Sequence, residues 1–287
     1  MITGAVIIKN GIKLGYPFVE SIRSLANFCD EVIVGVGKSD DGTRAAVEAI
    51  GTNKITIIDT VWDTSKRTGG TLLSEKTNEV LEHCHGEWIF YLQSDEVIHE
   101  EDHALIRRAL TAAEKDTTID GIAFEYRHFY GSYFTVQTGR NWYDREVRII
   151  RNHSGITSYG DAQGFRRGKD KIRAHVIPAR IFHYGWARPP EVMAEKIRDF
   201  HKLWHDDSWI AAACDNKTLQ DHYSDLGNLK DYTGTHPAVM QGRINRDAVA
   251  FIEGCRTQYR QKRSVIGWLR DTLRGLPLLR KRNFIEV

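Results

Sequence analysis

Short apolar runs alternate with amphipathic segments over the first hundred residues. The runs at 5–8, 31–36, 54–59 and 88–92 are rich in β-branched or aromatic residues, which predicts buried strands. Between them, residues 16–28, 41–50 and 71–84 show helical periodicity. In the first of these segments Phe18, Ile22, Leu25 and Ala26 share one face. Strands that alternate with helices predict right-handed crossovers and a mostly parallel sheet.

The pattern changes after residue 116. Strand-like stretches at 121–126, 146–151, 171–177 and 180–184 follow one another without regular helices between them, and a helix is predicted from about 189 to 205. This order predicts an antiparallel extension of the sheet. The fold class is therefore α/β, with one domain over residues 1–225 and a basic, mainly helical extension over 226–287.

Composition fits an ordinary globular protein of 287 residues, with 41% hydrophobic and 27% charged residues. Its four cysteines form no CxxC pair, which argues against a zinc ribbon or a disulfide scaffold and indicates a reducing compartment. No signal-peptide pattern is present, and no run approaches the ~18 apolar residues of a membrane span. We expect a soluble, cytoplasmic protein.

The basic residues are concentrated toward the end of the chain, where residues 226–287 hold 12 Lys/Arg and 5 Asp/Glu. Within this part, residues 265–282 interleave Trp268 and several leucines with basic side chains. Such a segment either docks on the domain or lies on an anionic membrane surface, at the inner face, where a lipid-linked acceptor resides. We predict no nucleic-acid partner.

Polar side chains follow three of the predicted strands. Asn10 follows the first strand, residues 37–43 follow the second, and Gln93, Ser94, Asp95 and Glu96 follow the fourth. In an open parallel sheet, ligands bind beyond the carboxyl ends of the strands. Carboxylates there suit Mg²⁺ or Mn²⁺ bridging substrate phosphates. A simpler alternative is that Asp40 and Asp41 only cap the next helix.

Residues 99–103 match the H-E-x-x-H pattern of zinc proteases. That pattern needs a helix already under way, whereas His99 lies only seven residues beyond Leu92, around the predicted helix start. The context therefore argues against a zinc site.

Taken together, the motifs resemble the nucleotide-sugar glycosyltransferases of the GT-A type, in particular the large inverting family that includes lipopolysaccharide-core sugar transferases. The resemblance is carried by IIKN at 7–10, EVIVGVGKSDDGT at 31–43, Asn78 ten residues before Trp88, and EWIFYLQSDE at 87–96. A looser block comprises REVRIIRN at 145–152 and FHYGWARPPEVMAEK at 182–196. The chain departs from the family pattern at Val36, Thr77 and Gln93, the first and last of which replace aspartates.

The resemblance implies a GT-A, Rossmann-like sheet and a metal-dependent inverting transferase of hexosyl or related sugars. Such an enzyme moves a sugar from a nucleoside-diphosphate sugar to a glycan, lipid-linked or other hydroxyl acceptor, as in polysaccharide biosynthesis. Asp95 and His183 are the implied ligands of Mn²⁺ or Mg²⁺. The implied donor-binding residues are Lys9, Asn10, Asp40, Asp41, Lys76, Asn78, Gln93 and Ser94.

Inverting transfer also requires a carboxylate to accept the proton of the acceptor hydroxyl. Asp161, in a glycine-flanked loop, is the first candidate for this base, and Asp144 is the second. Candidate contacts to phosphate or acceptor are Arg148, Arg151, Trp142 and Trp186.

Two further functions remain open at this point. Loss of the two family aspartates is compatible with a degenerate domain that binds sugars or partners without catalysis. A nucleotidyltransferase is also compatible with the α/β scaffold, although the chain lacks a glycine-rich basic loop near its start.

Overall fold

The computed structural model describes residues 1–63, 65–67, 69–139, 142–214, 223, 228–247 and 282–287. Four parallel strands form the first half of an 11-stranded sheet, in the order β4-β1-β2-β3. They are β1 (Ile2–Ile8), β2 (Glu31–Gly37), β3 (Ile55–Thr60) and β4 (Trp88–Leu92). The helices between them are α1 (Phe18–Phe28), α2 (Thr43–Glu48) and α3 (Thr71–Leu81). The predicted alternation is confirmed.

Every residue of β1 and β4 is buried, because helices cover both faces of this half. Central strand β1 pairs with β2 on one side and β4 on the other, so that Ala5 lies opposite Ile33 and Tyr91. This register puts the ends of β1, β2 and β4 at one edge of the sheet.

Beyond β4 the sheet continues with antiparallel strands, as the sequence predicts. Strand β8 pairs antiparallel with β4 and with β6, and β7 and β13 complete this side. The long strand β12 runs parallel to β6 and also pairs with β5 and β14. The ranges are β5 (Glu96–Ile98), β6 (Gly121–Tyr130), β7 (Thr135–Gln137), β8 (Arg145–Arg151), β12 (Arg173–Trp186), β13 (Leu229–Asp231) and β14 (Ile285–Glu286).

A small second sheet lies beside α3. Its strands are β9 (Ile156–Tyr159), β10 (Gly164–Arg167) and β11 (Asp170–Lys171), all antiparallel. The turn between β9 and β10 carries residues 160–163. The α/β fold class with a parallel sheet and an antiparallel extension is thereby confirmed.

Two hydrophobic layers enclose the main sheet. On one face α1 and α4 (His103–Lys115) contribute Phe18, Leu25 and Ile106 to a core that includes Phe90. On the other face α3 contributes Val80 and Leu81 to a core that includes Ile156 of β9 and Phe165 of β10. The sheet is thus covered on both faces, and loops lie at the carboxyl ends of its parallel strands.

Two helices, α5 (Pro190–His201) and α6 (Asp207–Cys214), follow β12 and approach that edge. Glu195 on α5 pairs with Lys13 in the loop after β1 at 2.9 Å. Val192 on α5 also contacts Gly15 of that loop. These contacts place α5 beside the ends of the parallel strands.

Parts of the predicted extension pack on the same body. Strand β13 pairs with β7, Arg243 of α7 (Gln241–Asp247) pairs with Glu20 of α1 at 3.0 Å, and Phe284 is buried. The division at 225–226 stays a prediction. Residues 248–281, which include most of the basic amphipathic segment, lie outside the described residues. In the part that is described, no helix has the length and hydrophobicity needed to cross a bilayer.

Candidate active site

Side chains from the loop after β2 tie the loop after β1 in place. Asn10 has a left-handed φ of 53° and donates its N–H to Ser39 Oγ at 2.8 Å. Asp41 Oδ2 accepts from the backbone of Lys13 at 2.8 Å, and Asp41 Oδ1 accepts from Thr43 N and Oγ1. Burial raises the pKa of Asp41, but these hydrogen bonds outweigh it and hold the pKa below its usual value. The Asp41 side chain therefore stabilises the loop after β1, whereas the Asp40 side chain is exposed at the same edge.

Glu96, the first residue of β5, is fully buried, and both of its carboxylate oxygens accept hydrogen bonds. Arg148 Nε and Nη2 donate to its two oxygens at 2.7 and 2.8 Å. Gln93 N and Tyr126 Oη donate to the same carboxylate at 3.0 and 2.8 Å. The Glu96 carboxylate is therefore a structural group of the protein interior and is not available to a ligand. The expectation that Arg148 contacts phosphate is corrected, because its guanidinium is itself fully buried against Glu96.

Asp95 points the other way, toward β12 and α5. Its Oδ2 lies 3.3 Å from Lys196 Nζ and 3.7 Å from His183 Nε2, and the residue is 6% exposed. Burial raises the pKa of the carboxyl, but the charges of Lys196 and His183 outweigh it and bring the pKa well below its usual range. Asp95 is therefore an ionised carboxylate in a nearly closed site.

A hydrogen-bond relay orients His183. His128 Nε2 lies 2.7 Å from the carbonyl oxygen of Tyr143, so this nitrogen must carry the proton. Burial, with His183 nearby, lowers the pKa of His128 to about 3, which keeps its ring neutral. His128 Nδ1 therefore accepts from His183 Nδ1 at 2.9 Å. The remaining nitrogen of His183, Nε2, faces Asp95 Oδ2 at 3.7 Å; with a proton it pairs with that carboxylate, and without one it can ligate a metal ion.

Two buried cations complete the cluster. Lys196 Nζ donates to the Gly185 carbonyl at 2.7 Å, and burial together with Arg188 lowers its pKa to about 7 against the pull of Asp95. Arg188 is 3% exposed, and its Nη1 donates to the Leu14 carbonyl. Its Nε and Nη2 have no hydrogen-bond partner among the described residues. Because a buried unpaired N–H is costly, these two donors call for an anionic or polar ligand.

Aromatic side chains wall the site. Tyr16 lies under both cations, with Arg188 4.7 Å and Lys196 5.2 Å from its ring centroid. Trp142 lies 4.9 Å from the His128 ring and 5.7 Å from the Trp186 ring. Both predicted tryptophans are thus brought to the site. They exclude water from it, which strengthens the charge interactions inside.

The loop at 160–163 lies over the end of β4. Gln93 Nε2 approaches the Ala162 carbonyl at 3.4 Å, and Arg148 Nη1 donates to the Gln163 carbonyl at 2.8 Å. Ala162 adopts a left-handed φ of 60°, a strained conformation for alanine. Asp161, which is half-buried, lies in this turn. The backbone carbonyl of Asp144 accepts a hydrogen bond from Tyr126 N at 2.9 Å, which fixes the position of this residue beside β6.

Other predicted residues lie in different surroundings. Lys9 is half-buried beside Trp62, 5.8 Å from its ring centroid, and Ser94 is half-buried in the turn after β4. Lys76 pairs with Glu79 at 2.5 Å on α3. Both polar atoms of the Asn78 side chain bind the backbone of Ser158, at 2.7 and 3.0 Å. Asn78 thus fastens α3 to β9.

Arg151 lies at the wrong edge of the sheet for a ligand contact. It stacks over Trp88, the first residue of β4, at 4.4 Å, and its Nη2 donates to the Ala113 carbonyl at 2.9 Å. Because β4 ends at the cleft, its first residue lies at the opposite edge. The expectation that Arg151 contacts phosphate or acceptor is corrected.

The H-E-x-x-H match has a structural explanation. His99 precedes a 3₁₀ turn (Glu100–Asp102), and its Nδ1 accepts from Glu101 N at 3.2 Å. His103 packs edge-on against Phe28. Within the described ranges no three or more His, Cys, Asp or Glu side chains converge as a metal site.

Sequence reasoning missed three members of the site, namely His128, Arg188 and Lys196. His128 lies within a strand, and Lys196 within an amphipathic helix, where such residues are ordinarily at the surface. Of the three, only Arg188 could have been suspected from the sequence. It directly precedes two prolines, which mark the junction between β12 and α5.

Comparison with known proteins finds partial likenesses at low identity. A crystal structure of S. aureus TarS gives a TM-score of 0.41 at 16% identity, over 77% of this chain and 41% of that chain. TarS 1-349 in complex with UDP-GlcNAc gives 0.39 at 16% identity, over 77% and 69%. The 4-diphosphocytidyl-2C-methyl-D-erythritol synthase from Anaerococcus prevotii gives 0.40 at 13% identity, over 70% and 94%. The matched region is less than half of the TarS chain. No family model and no curated protein matches the sequence.

Proposed function

We propose that this protein is a glycosyltransferase that moves a sugar from a nucleoside-diphosphate sugar to a hydroxyl acceptor. The observation that carries the proposal is the buried cluster of Asp95, His183, Lys196 and Arg188. It offers an ionised carboxylate and an imidazole nitrogen beside two cations, one of which has two donors without a partner among the described residues. A divalent cation would be held by Asp95 and His183, and a diphosphate bound with it would accept hydrogen bonds from Lys196 and Arg188.

The donor set fits Mn²⁺ or Mg²⁺. Asp95 supplies a hard oxygen and His183 a nitrogen on the same side of the cleft. Two protein ligands suffice for a cation whose other ligands are phosphate oxygens and water. When bound there, such an ion neutralises charge on the leaving diphosphate.

The remaining steps fall to side chains of this chain. Arg188 and Lys196 stabilise the negative charge that develops on the diphosphate when the glycosidic bond breaks. The aromatic wall excludes water, which limits hydrolysis of the donor. The acceptor hydroxyl loses its proton to a carboxylate as its oxygen bonds to the anomeric carbon, with inversion. Asp161 is the first candidate for that base and Asp144 the second.

The exposed edge beside the cluster suits the nucleoside. Lys9, Asn10, Asp40, Gln93 and Ser94 lie at the ends of β1, β2 and β4 and are at least partly accessible. We assign them to the ribose and base of the donor. Asp41, Lys76 and Asn78 support the same edge, because their side chains are held by Lys13, Glu79 and Ser158.

The proposal is tested by thermal unfolding of the full chain with Mn²⁺ and a panel of nucleoside diphosphates. At a ligand concentration of about 100 Kd, one diphosphate should stabilise the protein by about 2.7 kcal/mol. Asp95→Asn and Arg188→Met should each abolish most of this shift, whereas Glu48→Gln, on an exposed helix face, should keep it. Absence of a shift with every diphosphate contradicts the proposal.

The reaction itself is followed with a panel of nucleotide sugars. Metal-dependent release of nucleoside diphosphate, lost in Asp95→Asn, is the expected result. Pyrophosphate release from a nucleoside triphosphate would instead identify a nucleotidyltransferase. Binding of a diphosphate with no turnover of any sugar donor would identify a binding domain.

A further inference from the structure

A group of aromatic side chains lies on α5, α6 and the turn between them. Phe200 contacts Trp204 at a centroid distance of 4.4 Å, and Trp209 stacks on His205 at 3.6 Å and contacts His201 at 4.9 Å. We call these five residues the aromatic ledge. Phe200 is 43% exposed and Trp209 40% exposed. Large aromatic surface exposed in a group commonly marks a binding site.

The ledge reaches the candidate base. Two atoms of the Trp204 ring lie 2.6 and 2.9 Å from the point where a Cβ on Gly70 would stand, and Asp161 Cβ lies 3.0 Å from the same point. Trp204 and Asp161 therefore meet over Gly70, which has a left-handed φ of 70°. No side chain fits at Gly70 without moving one of them.

This arrangement is anchored on both sides. Gly70 N donates to the Leu203 carbonyl at 3.3 Å. Arg67 Nη1 donates to the His205 carbonyl at 2.9 Å and to Asp207 Oδ1 at 2.8 Å. The loop before α3 and the α5–α6 turn are thus joined, and the ledge is held beside the 160–163 loop.

We propose that the aromatic ledge binds a sugar ring of a saccharide acceptor and presents its hydroxyl to Asp161. An indole or phenyl face packs against the C–H face of a pyranose, while carboxylate and imidazole groups bind its hydroxyls. The inference rests on the proposed function for the identity of the reaction. It adds the chemical class of the acceptor and a binding subsite whose residues lie outside the buried cluster of Asp95, His183, Lys196 and Arg188.

The local charge favours a neutral, hydroxyl-rich ligand over an anionic membrane. Asp199 pairs with Lys202 at 3.4 Å and Asp207 with Arg67 at 2.8 Å, so the charges of these groups beside the ledge are balanced, and Asp206 is exposed. A surface of balanced charge offers little attraction to anionic phospholipid headgroups. Its carboxylates accept hydrogen bonds from sugar hydroxyls.

The test uses saturation-transfer NMR on the full chain with methyl glycosides of glucose, galactose, mannose and N-acetylglucosamine. At least one glycoside should receive saturation from the wild-type protein. The signal should fall at least about fivefold, the loss of about 1 kcal/mol, in both Trp204→Ala and Trp209→Ala. Trp209 is already exposed, so its variant should fold even if Trp204→Ala does not. Phe134→Ala, an exposed aromatic on another part of the molecule, should retain the signal.

The inference is overturned if no glycoside receives saturation, or if Trp209→Ala binds as the wild type does. It is also overturned if vesicles containing phosphatidylglycerol bind the wild type and Trp209→Ala loses that binding. Binding of nucleoside diphosphate with Mn²⁺ is measured on the same samples. Diphosphate binding without glycoside binding contradicts the acceptor subsite alone, whereas glycoside binding without diphosphate binding contradicts the donor proposal.

Discussion

Two adjacent carboxylates at the tip of β4 have opposite surroundings, and this difference defines the site. Glu96 is enclosed by Arg148, Tyr126 and the backbone of Gln93, so its charge is fully paired. Asp95 faces Lys196 and His183 at longer distances, 3.3 and 3.7 Å, which leaves its oxygens open to a ligand. Asp95 lies in the turn after β4, which Glu96 N closes on the Gln93 carbonyl at 2.9 Å, whereas Glu96 begins β5, so the two neighbours meet different environments.

Glu146 on β8 is a further buried carboxyl near this region. Its Oε1 accepts from Gln163 Nε2 at 2.7 Å and from Asn283 Nδ2 at 3.1 Å, whereas Oε2 has no partner among the described residues. Burial raises its pKa from 4.5 to about 7, although Arg148 opposes the shift. The folded protein therefore holds this proton more tightly than the unfolded chain does.

The contribution of Glu146 to the free energy of unfolding should be fully present below about pH 4.5 and should be lost as the pH rises through about 7. Glu146→Gln should remove on the order of 3 kcal/mol of this pH dependence from the free energy of unfolding. Urea unfolding across that pH range measures it, with the exposed Glu48→Gln as control. Parallel profiles for Glu146→Gln and the wild type contradict the assignment.

At the level of elements, β8 joins the turn after β4 to the loop of the candidate base. Arg148 holds Glu96 of the β4 tip with two donors and the Gln163 carbonyl with a third, at 2.8 Å. One strand residue thus sets the spacing between Asp95 and Asp161. Asn78 fastens α3 to β9 on the other side of the same loop.

Arg148→Met should lower the free energy of unfolding by roughly 3–5 kcal/mol, because it leaves Glu96 buried and unpaired. Adding Glu96→Met should restore much of that loss, since neither charge then remains in the interior. Urea unfolding of the two single variants and the double variant gives the coupling. A double variant whose loss equals the sum of the two single losses contradicts a direct buried pair.

At the scale of the whole molecule, α5 connects the parallel half of the sheet to β12. It touches the loop after β1 through Lys13–Glu195 and supplies Lys196 to the carboxylate of Asp95. Arg188, just before α5, donates to the Leu14 carbonyl of that loop. Under the proposed function, the two Arg188 donors that lack a partner among the described residues would bond to the diphosphate.

Nucleoside diphosphate with Mn²⁺ should therefore slow amide hydrogen exchange in α5 and in residues 11–16. The expected decrease is at least about tenfold, equivalent to about 1.4 kcal/mol of added local stability. Helix α4, on the far face of the sheet, serves as the internal reference. Equal slowing in α4 and α5, or none in α5, contradicts this coupling.

The fold of the parallel half could be predicted because its signals are local. Apolar runs at β1 to β4 and helical periodicity at α1 and α3 record burial residue by residue. The position of Asp95 was predictable in the same way, since it lies three residues beyond Leu92, the last residue of β4, whereas its role as a metal ligand stays a prediction. Arg148 was not, because a strand arginine in sequence gives no sign that a buried glutamate 52 residues away will pair with it.

The alternation of strands and helices, and the polar strand ends that meet at one edge, follow from the local pattern of residues along the chain. Which charges share the cleft depends on contacts between distant parts of the chain. Lys196 and Asp95 are 101 residues apart, and His128 and His183 are 55 apart. Pairing across such separations depends on the register of β6 with β12 and on how α5 packs. These long-range contacts leave no periodicity in the chain, so packing alone selected the members of the site.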